Sequence, residues 1–437
     1  MVSLSILIIV ALVLPLLYVY SPCKRPFLTE STVSLRKTLF FRLYYASKYL
    51  SPVKKPFRGT ELEQIFTKDM SPDPGWTALR NLQPVVIKAV GDLMCRKDLT
   101  GEGGKGIWDQ IGADVFSGDL RIANMEFAVN PDCVIENLLR FSVPEFYALP
   151  LLGDSRFGKF DIVSLANNHI NDSLSGGIIS TCDFLDKMEI AYSGACRTPD
   201  ERDLFPIFKR GGIKIAVLSY TYSTNGIALE SHFQHGVNRV NFNALQESDY
   251  DSAVIHRHVE LARSRGADFI IACNHWGIEF EYYPPERIVR RGRELLDSGI
   301  DLIIGTHPQI INLSERYRTK DGREGVIIYS LGSLTSAGLK SPVQRMSHLA
   351  EMTLETGYGT QGEKVVRPGS VRFTPIFHSM RRKGRIIVHK LLPVIKTVEN
   401  LENGTSGCEL SRSEIRILHK LYREHRNHFR QNGFEYT

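Results

Sequence analysis

Eight polar residues suited to ligation or acid–base chemistry each follow a short apolar run: Asp92, Glu126, Asn167, Asn168, His169, His275, His307 and Gln309. Carboxylates, amides and imidazoles together make an oxygen-and-nitrogen donor set that suits Mn, Fe or Zn. Each residue alone has a plainer explanation. Asp92 suits a turn or helix cap after a strand, and Asn167-Asn168 suits an Asx turn. Their shared placement argues for a site, because ligands of open α/β sheets collect beyond the carboxyl ends of the strands.

The elements that must position this set are visible as apolar runs. Residues 269–272, 302–304 and 326–329 have the length and β-branched content of buried strands. They end in Asn274-His275-Trp276-Gly277, in Gly305-Thr306-His307-Pro308-Gln309 and in Ser330-Leu331-Gly332-Ser333. Residues 285–298 carry Ile288, Leu295 and Leu296 near helical spacing. Upstream, residues 85–90, 120–123, 160–165 and 214–220 read as strands, and 176–188 and 251–265 as helices. Strands alternating with helices at this spacing predict an α/β architecture. The Pro-rich, polar stretch 51–83 reads as a linker, so the body is expected at 84–398. Residues 339–370, polar and punctuated by Gly and Pro, are expected to be a loop insertion. Residues 385–394 resemble a late edge strand, 399–407 a linker and 411–430 a basic terminal helix.

The 437 residues are 43% hydrophobic and 23% charged, ordinary for a globular protein. Residues 1–60 hold nine Lys or Arg against one Glu, more than the whole excess of +6, so the remainder is slightly acidic. No broad basic surface is expected, and nucleic acid is not an expected partner. Residues 2–20 carry no charge, close to the length that spans a bilayer. With no Lys or Arg before that run and no A-x-A-like site after it, a retained anchor at 1–22 is expected rather than a signal peptide. Residues 23–83 then form a basic juxtamembrane segment and linker, within which 35–50 has the look of an interfacial helix. Flanking charge on the carboxyl side argues for a cytoplasmic body. The seven cysteines show no C-x-x-C pair and no disulfide framework.

The segments GDLM, ANMEFAV, SLANNHIND, YSGA, HWGIEFEYYP, LLDSGIDLIIGTHPQ and YSLGS occur in that order over about residues 85–336. Together they resemble the poly-γ-glutamate capsule-biosynthesis proteins of the CapA (PgsA) type. The resemblance implies a four-layer αββα metallophosphoesterase-like sandwich, membrane attachment, and a role in making or exporting an anionic polymer. It also implies an outward-facing body, against the charge rule. By the same resemblance Asp92 takes the place of the first-strand aspartate and Glu126 that of the bridging carboxylate. Asn168 matches the amide ligand, His275 and His307 match later ligands, and His169 matches a proton donor. Asn167, Trp276, Glu279, Tyr282, Gln309 and Ser333 are candidates to line a substrate pocket.

The chain departs from the family pattern at Met94 and Gln309, where histidines are expected, and at Ser333-Leu334 in place of Asn-Phe. The departures predict one tightly bound divalent ion rather than two. The expected function is a membrane-anchored protein of capsule-type polymer synthesis or export with a metal-dependent hydrolase-like site. Its partners would be the membrane, an anionic polymer or its precursor, and other polymer-synthesis membrane proteins. A non-catalytic assembly or export factor with a degenerate metal site is the first alternative. A generic metallophosphoesterase acting on a small phosphoester is the second.

Overall fold

Strands buried on both faces form the centre of the molecule, as their nearly unbroken Val, Ile and Ala content requires. The computed structural model describes residues 61–67, 84–99, 101–132, 141–336, 341–358, 362–405, 410–429 and 434–437. The strands of its two large sheets begin with β1 Val85–Leu93, β2 Leu120–Met125, β3 Ile162–Ser164, β4 Ala191–Ser193 and β5 Ile207–Arg210. Next come β6 Ile213–Thr221, β7 Phe269–His275, β8 Leu302–Thr306, β9 Ser314–Arg318 and β10 Glu324–Ile328. The last are β11 Ser333–Thr335, β12 Met346–Tyr358, β13 Lys364–Lys383, β14 Ile386–Pro393 and β15 Glu435–Tyr436. The helices used below are α1 Glu61–Thr67, α2 Leu174–Lys187, α3 Ala253–Ser264, α4 Glu286–Asp297, α5 Val394–Glu402 and α6 Arg412–His428.

One sheet runs β14-β13-β12-β1-β2-β3-β4, with β11 joined to β1 and β15 to β13. The other runs β9-β10-β8-β7-β6-β5. Strands β1 to β4 are parallel, as are β6, β7, β8 and β10, so their carboxyl ends gather at one edge of each sheet. A single apolar cluster holds Ile87 and Ile122 of the first sheet with Ile215, Ile271 and Ile303 of the second. The sheets therefore pack face to face, and Ile255 of α3 and Ile288 of α4 join the same cluster. Cys182 and Leu185 of α2 join Val90 and Val163 in a second cluster against the first sheet. The result is an α/β sandwich, as the alternation of strands and helices predicts.

Three expectations need correction. Residues 339–370 are mostly sheet: β12 and β13 pair across twelve residue positions. Their polar character reflects antiparallel strands with one half-exposed face, and Pro368 and Gly369 sit beside a register shift between Met352 and Leu354. The linker assigned to 51–83 contains α1, whose Leu62 and Ile65 are buried in the core. The linker at 399–407 begins late, because α5 runs to Glu402. Residues 1–22 and 35–50 lie outside the described residues. Among the described residues no helix is long and apolar enough to cross a membrane.

Candidate metal centre

Register brings the candidate residues together. Asp92 at the end of β1 is level with Asn124 of β2 and Ser333 of β11. On the other sheet His275 is level with Thr221 and Thr306. Two glycines allow the necessary close approaches. A Cβ at Gly91 would lie 1.8 Å from the Gly332 carbonyl oxygen, and one at Gly305 would lie 2.1 Å from that of Tyr329. The carboxyl ends of the two sheets then meet, with His275 Nδ1 4.0 Å from Asp92 Oδ1 and His275 Nε2 3.8 Å from Glu126 Oε1.

An ion with bonds of about 2.0–2.2 Å places neighbouring donor atoms about 3 Å apart and opposite ones about 4 Å apart. Glu126, His275 and His307 offer donor atoms that all lie within 4.8 Å of one another. Asn168 Oδ1 is 2.9 Å from His275 Nε2. All four side chains are buried. Neither oxygen of the Glu126 carboxylate meets a hydrogen-bond donor among the described residues, a costly state for a buried carboxylate without a cation. The donor set and its spacing fit a single divalent ion. His275 Nδ1 lies 3.0 Å from Thr306 Oγ1, which would fix the ring so that Nε2 faces the ion.

Electrostatics point the same way. Burial holds Glu126 well above the usual carboxylate range, and the neighbouring Asp92 charge adds to the effect. Burial pushes Asp92 up to about 6, opposed by hydrogen bonds from Asn124, the His307 backbone and Ser333. Burial, then His307 and His169, hold His275 well below its ordinary value. A divalent cation reverses this logic, because it favours ionised Glu126 and unprotonated imidazoles. His307 and Gln309 both have left-handed backbones, with φ of 97° and 58°. Such strain in non-glycine residues clusters at functional sites.

The rest of the set divides. His169 is part of the cluster: its Nδ1 is 2.7 Å from Asp172 Oδ2, and its Nε2 is 4.0 Å from Glu126 Oε1. Asn167 braces the loop, donating to the Met125 carbonyl and accepting from the His169 backbone N–H. Ser333 Oγ is 3.3 Å from Asp92 Oδ2. Gln309 Nε2 donates to Glu279 Oε1 at 2.9 Å, and its Oε1 accepts from Gln344 at 3.0 Å, so both ends of its amide are engaged within the protein. Two of the pocket candidates make other contacts. Trp276 is fully buried, donates to the Tyr329 carbonyl and packs edge-on to Phe242, because its ring completes the core under α4. Tyr282 faces a small cavity shared with Leu421 and His425 of α6. The sequence reading missed Asn124, Asp172, Asn225, Thr306 and Gln344. Asp172 had a signal, three residues after His169. Gln344 had none, since it sits in the stretch read as a loop.

Fold and site together define an α/β sandwich with a buried candidate metal centre at its strand ends. The profile of the bacterial capsule synthesis protein family PGA_cap matches residues 86–337, more than half of the chain, and the chain belongs to that family. It is 25% identical over 177 residues to the capsule biosynthesis protein CapA of Bacillus anthracis, covering 40% of this chain and 39% of that protein. It is 27% identical over 177 residues to the PGA biosynthesis protein CapA of Bacillus subtilis, covering 40% and 42%. The matched stretch thus spans about two fifths of either relative. Among solved structures, a hypothetical protein from Thermus thermophilus aligns over 66% of this chain and 98% of its own, at 13% identity and a TM-score of 0.36.

Proposed function

We propose that this chain acts in the synthesis or export of a capsule-type anionic polymer, resembling poly-γ-glutamate, through a metallophosphoesterase-like centre holding one divalent ion. Mn, Fe or Zn suits the donors Glu126, Asn168, His275 and His307. The observation that carries the reading is the buried group of Glu126, His275 and His307, completed by Asn168, in which no N–H or hydroxyl among the described residues donates to Glu126. When bound, such an ion lowers the pKa of water and polarises an acyl or phosphoryl oxygen. The chain's own residues do the rest. Asp172 orients His169 through Nδ1, leaving Nε2 as the nitrogen that would hand a proton to a leaving group.

Attachment through residues 1–22 would place this centre beside the membrane and its polymer-synthesis partners. The family resemblance favours an extracytoplasmic body and the positive-inside rule a cytoplasmic one. A reporter fused to the carboxyl terminus decides between them. Elemental analysis after dialysis, followed by a panel of γ-glutamyl and phosphodiester substrates, tests the function itself. One metal per chain with metal-dependent turnover is the expected result. No bound metal would sink the reading. Metal without turnover on any substrate would favour a non-catalytic assembly or export factor, which the engaged Gln309 amide also suits.

A further inference from the structure

Asn225 reaches the centre from a loop that supplies none of the candidate ligands. The chain leaves β6 at Thr221 and turns through Asn225 and Gly226, both left-handed with φ of 55° and 69°. Asn225 is only 2% exposed. Its Oδ1 accepts from Asn168 Nδ2 at 3.0 Å, and its Nδ2 lies 3.4 Å from both ring nitrogens of His169. The loop is tied to the 167–172 segment a second time, because Asn171 Nδ2 donates to the Ile227 carbonyl at 3.1 Å.

The two ends of a side-chain amide differ chemically: the oxygen accepts and ligates, whereas the NH2 group only donates. An Asn ligand therefore works in one of its two orientations. With Asn168 Nδ2 bonded to Asn225, Asn168 Oδ1 is the end that faces His275 Nε2 at 2.9 Å. Turning the amide over would set two carbonyl oxygens against each other at Asn225 and present NH2 to the ion. We infer that Asn225 is a positioning residue that keeps the Asn168 oxygen aimed at a divalent cation and holds the His169 ring beside it. This rests on the metal reading proposed above. Asn225 is not one of the ligands proposed for the ion; its part is to orient the Asn168 amide and the His169 ring.

The test uses the full chain in detergent, stripped with EDTA and titrated with Mn2+ alone. Asn225→Gly keeps the left-handed backbone and removes the amide. It is expected to weaken Mn2+ binding about 10- to 100-fold, the usual loss when a residue that orients a ligand is removed. Asn225→Asp retains an acceptor for Asn168 Nδ2 and is expected to bind no more weakly than the parent. Asn168→Ala is expected to weaken binding, and the Asn168→Ala/Asn225→Gly double variant to bind no worse than Asn168→Ala alone. Melting temperatures in EDTA check that the variants fold. If Asn225→Gly does not, Asn225→Ser, whose hydroxyl is too short to reach Asn168, takes its place with the same expected loss. Unchanged Mn2+ affinity in that variant, or losses that multiply in the double variant, overturns the inference while leaving the metal centre intact. A parent that binds no Mn2+ overturns both.

Discussion

The two carboxylates of the centre, Asp92 and Glu126, are equally buried but differ in their surroundings. Asp92 accepts hydrogen bonds from Asn124 and Ser333, and the His307 backbone N–H acts on it as well. Among the described residues Glu126 meets no N–H or hydroxyl donor; its carboxyl neighbours that of Asp92 and faces two imidazoles. A buried acid supplied with protein donors is stable without an ion, whereas one supplied with none calls for a cation. The same contrast separates His307, inside the ligand group, from Gln309, two residues on and tied to Glu279 and Gln344. One half of the centre sets a buried carboxylate against two imidazoles. The other half is closed by hydrogen bonds.

The largest effect should come from attacking the open half. His275→Ala removes the imidazole whose Nε2 lies 2.9 Å from Asn168 Oδ1 and 3.8 Å from Glu126 Oε1. It should lower metal affinity at least 100-fold by equilibrium dialysis, and a tight metal retained after this change would contradict the assignment. Asp172→Asn is expected to lower any metal-dependent turnover about 10- to 100-fold while leaving metal content near one per chain. Equal loss of metal and activity would make Asp172 a structural rather than a proton-handling group. Attacking the closed half tests the contrast from the other side. Met94→His with Gln309→His should raise stoichiometry from about one towards two, provided that Glu279 and Gln344 release position 309. Asp92→Asn should weaken the single ion only a few-fold. A loss matching that of His275→Ala would place Asp92 among the principal ligands.

The smallest expected effect lies away from the centre, where His348 of β12 meets His425 of α6, Nε2 to Nε2, at 2.6 Å. Burial lowers His425 to about 4 and holds His348 well below its ordinary value. The unfolded chain then binds more protons than the folded chain between about pH 6.5 and 4. Stability should fall as the pH drops through that window, by about 3 kcal/mol from His425. His425→Phe should flatten this dependence in thermal melts at constant ionic strength. Metal content above pH 7 should not change. If it does, the terminal helix and the centre are coupled.

The sequence alone determined where strands of the α/β body end, because β-branched runs closed by polar clusters can hardly be anything else in a chain of this composition. It also marked Asp92, Glu126, Asn168, His169, His275 and His307, since ligand-type residues after buried runs are conspicuous without knowing what they face. It could not show that Trp276 belongs to the core, because an aromatic residue beside a histidine looks the same in a pocket or under a helix. Nor could it show β12 and β13, whose half-exposed antiparallel pattern and Pro368-Gly369 irregularity imitate a loop. Only the tertiary structure decided which carboxylate is provided with donors and which is not. Asn124, Ser333, Gln344 and Asn225 come from four separate parts of the chain. A hydrogen bond depends on the distance and direction between two atoms, and sequence spacing carries neither across separate strands.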